Sequence, residues 1–143
     1  MAMTVRVDIV SIEKSIFSGL VEFVVAPAEM GEVGIYPGHA PLISRLKSGA
    51  VRMRVPDRED MEIIYVSGGM LEVQPGSVTI LSDLALPEDE MSEDRLLAEG
   101  RKISETMKNR STSMDFVKLE AELARAFNEL RGYLHLSHRR TGV

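Results

Sequence analysis

A change of hydrophobic period near Pro87 constrains this chain more than any other feature. Before it, apolar and polar residues alternate over short runs. Arg6 and Asp8 separate Val5, Val7 and Ile9; Arg52 and Arg54 separate Val51, Met53 and Val55; Thr79 separates Val78 and Ile80. A period of two places every second side chain on one face, so these runs predict half-buried strands. Turn-forming pairs stand between them: Ser18-Gly19, Pro37-Gly38, Ser48-Gly49, Pro56-Asp57, Gly68-Gly69 and Pro75-Gly76. Roughly eight to ten strands at this spacing predict a sandwich or flattened barrel.

After Pro87 no further proline occurs, and the spacing becomes helical. Leu96, Gly100, Ile103 and Met107 form one stripe; Phe116, Leu119, Leu123, Phe127, Leu130 and Leu134 form another. The polar stretch "NRSTSMD" separates them, and Thr112 with Asp115 fits a capping box for the second helix. Glu88, Asp89, Glu90, Glu93 and Asp94 crowd the start of the first helix, and Arg139 and Arg140 follow the second. Both signs suit the helix dipole. The region predicts a hairpin of two helices. Such a pair is marginal alone, so it must lean on the β region, on a partner, or on each in turn. Gly100 interrupts the first stripe; close helix approach and a tolerated surface glycine both explain it.

Composition narrows the chemistry. The 143 residues carry a formal charge of −5 and no basic run before Arg139-Arg140. This argues against a nucleic-acid surface. There is no cysteine, so disulfides and thiolate metal sites are excluded. The first ten residues, "MAMTVRVDIV", read neither as a secretory signal nor as a transit peptide. No apolar run is long enough to span a membrane.

No phosphate-loop or dinucleotide fingerprint is present. Gly68-Gly69 lies between two strand runs and is expected to form a hairpin turn or bulge. His135 and His138 have chelating spacing but no evident third ligand, so no metal is expected. No serine sits in a nucleophile elbow, and nothing supports a triad around His39. Interaction surface remains. The stretch "GEVGIYPGHAPLI", Gly31 to Ile43, is too glycine-rich for a helix and too apolar for a solvated loop. An internal strand with a tight Pro37-Gly38 turn and a face offered to a partner both fit it.

These residues carry a resemblance. The motifs G-E-x-G-I-x-P-G-H-x-P-L (Gly31 to Leu42), L-K-x-G (Leu46 to Gly49) and S-G-G-x-x-E-V (Ser67 to Val73) occur in this order. They are similar to those of the epsilon subunit family of bacterial F-type ATP synthase, homologous to the mitochondrial delta subunit. With no transit peptide evident, a bacterial member is expected. The resemblance implies an antiparallel β-sandwich of about ten strands over residues 1–87 and a regulatory αα-hairpin over 88–143. It implies a non-catalytic rotor subunit that binds gamma and the c-ring and couples proton translocation to ATP synthesis. Such a subunit sits peripherally at the cell inner membrane, on its cytoplasmic side, held there by the complex.

Site residues follow by position. Met30, Gly31 and Glu32 are expected at the c-ring. Ile35, Pro37, Gly38, His39, Ala40, Pro41 and Leu42 are expected toward gamma. In this family the hairpin can extend into the catalytic alpha/beta head and block ATP hydrolysis; Arg125, Arg131, Arg139 and Arg140 are the candidate contacts. Some members bind ATP through an [I/L]-D-x-x-R-A motif. Here that stretch is "MSEDRL": Arg95 is kept, but Ser92 and Leu96 replace Asp and Ala, and Glu129 lies one turn beyond Arg125. A carboxylate there would repel phosphate, so no nucleotide or other cofactor is expected. A free-standing adaptor or chaperone with a β head and helical arm is the alternative. A small hydrolase using His39 is a third.

Overall fold

The computed structural model describes residues 3–110, 121, 124–125 and 128–132. The strands are β1 (Val5–Ser11), β2 (Ser15–Val21), β3 (Phe23–Ala28), β4 (Gly31–Ile35), β5 (Leu42–Arg54), β6 (Glu62–Gln74), β7 (Ser77–Ser82) and β8 (Ala85–Pro87). A 3-10 turn at Glu88–Glu90 leads to α1 (Glu93–Arg110). The pairing order is β2-β1-β7-β6-β5-β3-β4, with β8 added to β6.

The long strands β5 and β6 join the two layers. They pair in one register from Leu42↔Val73 to Met53↔Glu62. The Met70–Gln74 end of β6 pairs with β7, which leads on to β1 and β2. Its Ile64–Val66 stretch pairs with β8, and the matching half of β5 pairs with β3, then β4. Counting β5 and β6 once in each layer turns eight strands into the expected ten. One ladder departs from the antiparallel expectation: β1 and β7 run parallel. Alternation carries no strand direction, and these two strands are joined through the rest of the sandwich rather than by a hairpin.

Alternation does set the inward face. Val5, Val7, Ile9, Val24, Ala26, Val51, Met53, Leu71, Val73, Val78 and Ile80 share one buried cluster. A fully buried side chain of this kind contributes about 1.5–3 kcal/mol.

Three of the six turn pairs are turns, at Pro37-Gly38, Pro56-Asp57 and Pro75-Gly76. Ser18-Gly19, Ser48-Gly49 and Gly68-Gly69 instead lie inside β2, β5 and β6. Proline has no N–H to give a ladder, and Pro27 stays in β3 only where the β3–β5 register breaks between Val25 and Ala28, whereas glycine can stay in a ladder. Gly68 and Gly69 adopt φ of 106° and 136° and sit where β6 passes between layers. A Cβ on Gly69 would run into the Leu81 carbonyl and lie 3.0 Å from Ser82 Cα. The pair is therefore a bend under a close crossing, not a hairpin turn. Ser67 secures the crossing: its N–H donates to the Leu84 carbonyl (3.0 Å), and its Oγ accepts from the Leu84 N–H (3.1 Å).

Ser92 caps α1, its Oγ accepting the Arg95 N–H at 3.1 Å. Most of the acidic run thus precedes the helix as the 3-10 turn. Gly100 is buried, which removes the surface-glycine explanation. Thr112, Asp115 and most of the second stripe lie outside the described residues, but Leu130 does not. It is fully buried with Tyr65, Leu84, Leu86, Met91 and Leu96. Of the three supports open to the helical region, the described residues show the sandwich in use.

Candidate functional site

The β3–β4 hairpin turns through Glu29 and Met30, with Pro27 opposite Glu32 and Ala28 opposite Gly31. Gly31 has φ 131°, a conformation that L side chains rarely adopt. Met30 projects from the tip with 98% of its surface exposed. The Glu29 N–H donates to the Arg45 carbonyl at 2.9 Å, tying the tip to β5. Glu32 is exposed and accepts a hydrogen bond from Arg52 Nη2 at 2.8 Å. As an exposed pair it contributes below about 1 kcal/mol to stability. Its consequence is local charge: Glu32 is not a free carboxylate.

The stretch from Ile35 to Ile43 divides between core and surface. Ile35 is fully buried, so its side chain belongs to the core rather than to the exposed surface. Tyr36 is exposed and stacks on Phe23 with ring centroids 5.3 Å apart. Pro37 and Gly38 turn the chain, and the Gly38 N–H donates to the Pro75 carbonyl at 2.9 Å. His39 Nδ1–H donates to the Ala40 carbonyl at 2.6 Å. No described serine or carboxylate side chain hydrogen-bonds to this ring. Ala40 and Pro41 are exposed, and Leu42 is half-buried against the core.

The outer face of the β2-β1-β7-β6 layer carries large apolar residues that alternation would assign to polar ones. Met70 stands opposite Leu81, Leu81 opposite Val10, Arg45 opposite Met70 and Ile43 opposite Glu72. Ile43, Leu81 and Met70 are 72%, 53% and 42% exposed. Val10, Ile12, Gly69, Met70 and Leu81 line a hollow of about 280 Å³. This face went unread in the sequence, although its signal was available. Met70 and Leu81 are out of phase with their buried neighbours Leu71 and Ile80. Beside it, Asp8 accepts from Ser18 Oγ at 2.6 Å and pairs with Arg6 at 3.3 Å. The Ser18 hydroxyl first, and Arg6 after it, hold its carboxyl below the usual range despite some desolvation.

The outer face of the other layer is covered. Leu86, Tyr65 and Ala50 form a row across β8, β6 and β5, beneath the cluster that holds Met91, Leu96 and Leu130. Arg95 lies 3.9 Å from both Glu90 and Glu99. Arg125 is exposed and Arg131 half-buried on the second helical segment; Arg139, Arg140, His135 and His138 lie outside the described residues. Among the described residues no three acidic or histidine side chains gather as metal ligands.

Sandwich, bent strands and docked helix define a recognised class. The sequence model of the family described as "ATP synthase, Delta/Epsilon chain, beta-sandwich domain" matches residues 4–88. ATP synthase epsilon chain 1 of Thiobacillus denitrificans is 55% identical over 97% of this chain and 99% of its own length. The epsilon chain of Nitrosomonas eutropha is 50% identical over 94% of this chain and 96% of its own. The chain belongs to the ATP synthase epsilon chain family. Its fold is also similar to a chain in the Euglena gracilis mitochondrial ATP synthase structure of OSCP, F1 and c-ring. That likeness has a TM-score of 0.63 at 18% identity and covers 92% of this chain and 82% of the other.

Proposed function

We propose that this epsilon-family chain is a non-catalytic rotor subunit of an F-type ATP synthase. Residues 1–87 couple proton-driven rotation of the c-ring to the gamma subunit, and residues 88–143 conditionally inhibit ATP hydrolysis. The carrying observation is the exposed apolar face of Met70 and Leu81 at the hollow, with exposed Ile43 on β5 nearby. Contiguous exposed apolar surface beside polar residues is the mark of an interface. We assign this face to gamma, together with Tyr36 and the Pro37–Leu42 stretch. Met30, Gly31 and Glu32 face the ring. The names of the relatives support this reading.

In the docked arrangement Leu130 fills the cluster over Tyr65 and Leu86. Extension toward the alpha/beta head has to withdraw it, freeing Arg125, Arg131, Arg139 and Arg140 for the inhibitory contact. The bias between the two arrangements must be a few kcal/mol for a ligand to reverse it. Arg95 lies between two carboxylates and Ser92 serves as a helix cap. Neither is poised for phosphate, so the chain binds no ATP tightly. Among the described residues no helix is long and apolar enough to cross a membrane. In this reading the complex holds the subunit at the bacterial inner membrane, on the cytoplasmic side.

Removing residues after Asp89 in the assembled enzyme tests the regulatory half. ATP hydrolysis should rise while proton pumping stays coupled. Unchanged hydrolysis removes the inhibitory role. The free-standing adaptor reading instead requires no co-purification with gamma.

A further inference from the structure

We infer that the short link from β7 to β8 couples the two outer faces of the sandwich, so that filling the hollow favours docking of the helical region. Ser67 and Ser82 are the positioning residues that make the link rigid enough to do so. This rests on the reading that gamma occupies the exposed apolar face, and adds a consequence for the covered one.

Three consecutive residues carry the link between the layers. Ser82 ends β7, and β8 begins at Ala85. Ser82 and Asp83 line the hollow together with Met70 and Leu81. Leu84, the next residue, is fully buried in the cluster that holds Leu96 and Leu130. One step along the backbone therefore leads from the hollow to the seat of the helix.

Two serines clasp this step. The Leu84 carbonyl accepts from the Ser67 N–H at 3.0 Å and from the Ser82 hydroxyl at 2.9 Å. The Leu84 N–H donates to Ser67 Oγ at 3.1 Å. Ser82 gives its one hydroxyl proton to that carbonyl, so across the 3.4 Å between the two hydroxyls Ser67 is the donor. Both backbone polar groups of Leu84 are held, and Ser82 is itself buried. At the neighbouring crossing Gly69, which also lines the hollow, packs on Leu81 and Ser82 with no room for a Cβ. A satisfied polar network of this kind holds one arrangement. Without it each face could shift alone.

The sign follows from the docked arrangement, in which the hollow is already formed. A partner that fits this hollow binds the docked arrangement better and shifts the population toward it. The coupling is reciprocal: docking tightens gamma binding by the factor by which gamma favours docking.

The test measures amide exchange in α1 of the full chain, free and bound to gamma. Bound gamma should slow exchange about fivefold, and Leu130→Ala should weaken gamma binding by no more than that factor. Ser67→Ala should abolish the slowing while the sandwich stays folded and gamma still binds. Ser67→Thr, which keeps the hydroxyl, should restore it. Ser82→Ala should also abolish it, and serves alone if Ser67→Ala does not fold. A merely structural role would lower the urea midpoint without changing the ratio of free to bound exchange. Exchange in wild type that gamma leaves equal or makes faster overturns the inference. So does slowing that persists in the serine variants, which would mean that gamma touches α1 directly. A wild-type chain that binds no gamma overturns the underlying reading instead.

Discussion

The two outer faces of the sandwich are built alike, and among the described residues only one of them is covered. On one, Tyr65, Ala50 and Leu86 lie beneath Met91, Leu96 and Leu130. On the other, Ile43, Met70 and Leu81 are exposed, and Met70 and Leu81 line a hollow together with Gly69. Each is the outward side of strands whose inward side is core. Among the described residues, the chain brings its own cover for one apolar face and none for the other. The covered face suits a contact that is made and broken within the chain; the bare one suits a standing interface with another subunit.

The comparison breaks first if the crossing between the layers can be altered without consequence. Gly69→Ala should lower sandwich stability by about 3 kcal/mol, because it joins a strained φ to a backbone collision. Urea denaturation measures this, and a loss below about 1 kcal/mol would show that the crossing is loose.

The covered face is tested by Leu130→Ala. Truncating a fully buried leucine costs about 3 kcal/mol. Here the loss should fall on helix docking. Amide exchange in α1 should speed up while the sandwich midpoint holds. Unchanged α1 protection would mean that Leu130 is not what holds the cover.

The inner and outer sides of one strand pair sharpen the contrast. Leu71→Ala should cost about 3 kcal/mol, as a core truncation does. Leu81→Ala, in the open face, should stay within about 0.5 kcal/mol. Equal losses would mean that Leu81 is structural.

Acid gives the smallest effect. The folded-state pKa of Asp8 is depressed, so its contribution is present above the unfolded carboxylate value. It is lost as pH falls through the lower folded value. Asp8→Asn should therefore narrow the stability difference between neutral pH and pH about 3. An identical pH profile would contradict the role of Ser18 and Arg6.

The layers and the helical region were legible because burial enforces period, and period survives in sequence. Val5-Val7-Ile9 and Val78-Ile80 fell into the core as expected. Turn pairs were legible only where proline stood. Ser18-Gly19 and Ser48-Gly49 stay in extended strands, since glycine permits a turn without requiring one. The direction of β1 against β7 left no trace, because pairing direction is settled by distant chain.

At the site, "GIYPGHAPLI" was read as one apolar row, yet Ile35 turned inward while Ile43 stayed open. Sequence shows that such residues are apolar, not which side of a turn they leave from. The partner of Glu32 was hidden for a similar reason. Arg52 lies 20 residues away in sequence, and only the sheet brings it within 2.8 Å.

The central claim is that the bare face is an interface with gamma. Its most direct test is the affinity of purified gamma for the full chain carrying Met70→Asp and Leu81→Asp, compared with wild type and with Leu130→Ala. The account predicts firm binding by wild type and by Leu130→Ala, and a loss of at least about tenfold, or 1.4 kcal/mol, for the double aspartate variant with its sandwich still folded. Equal affinity in all three proteins would contradict it.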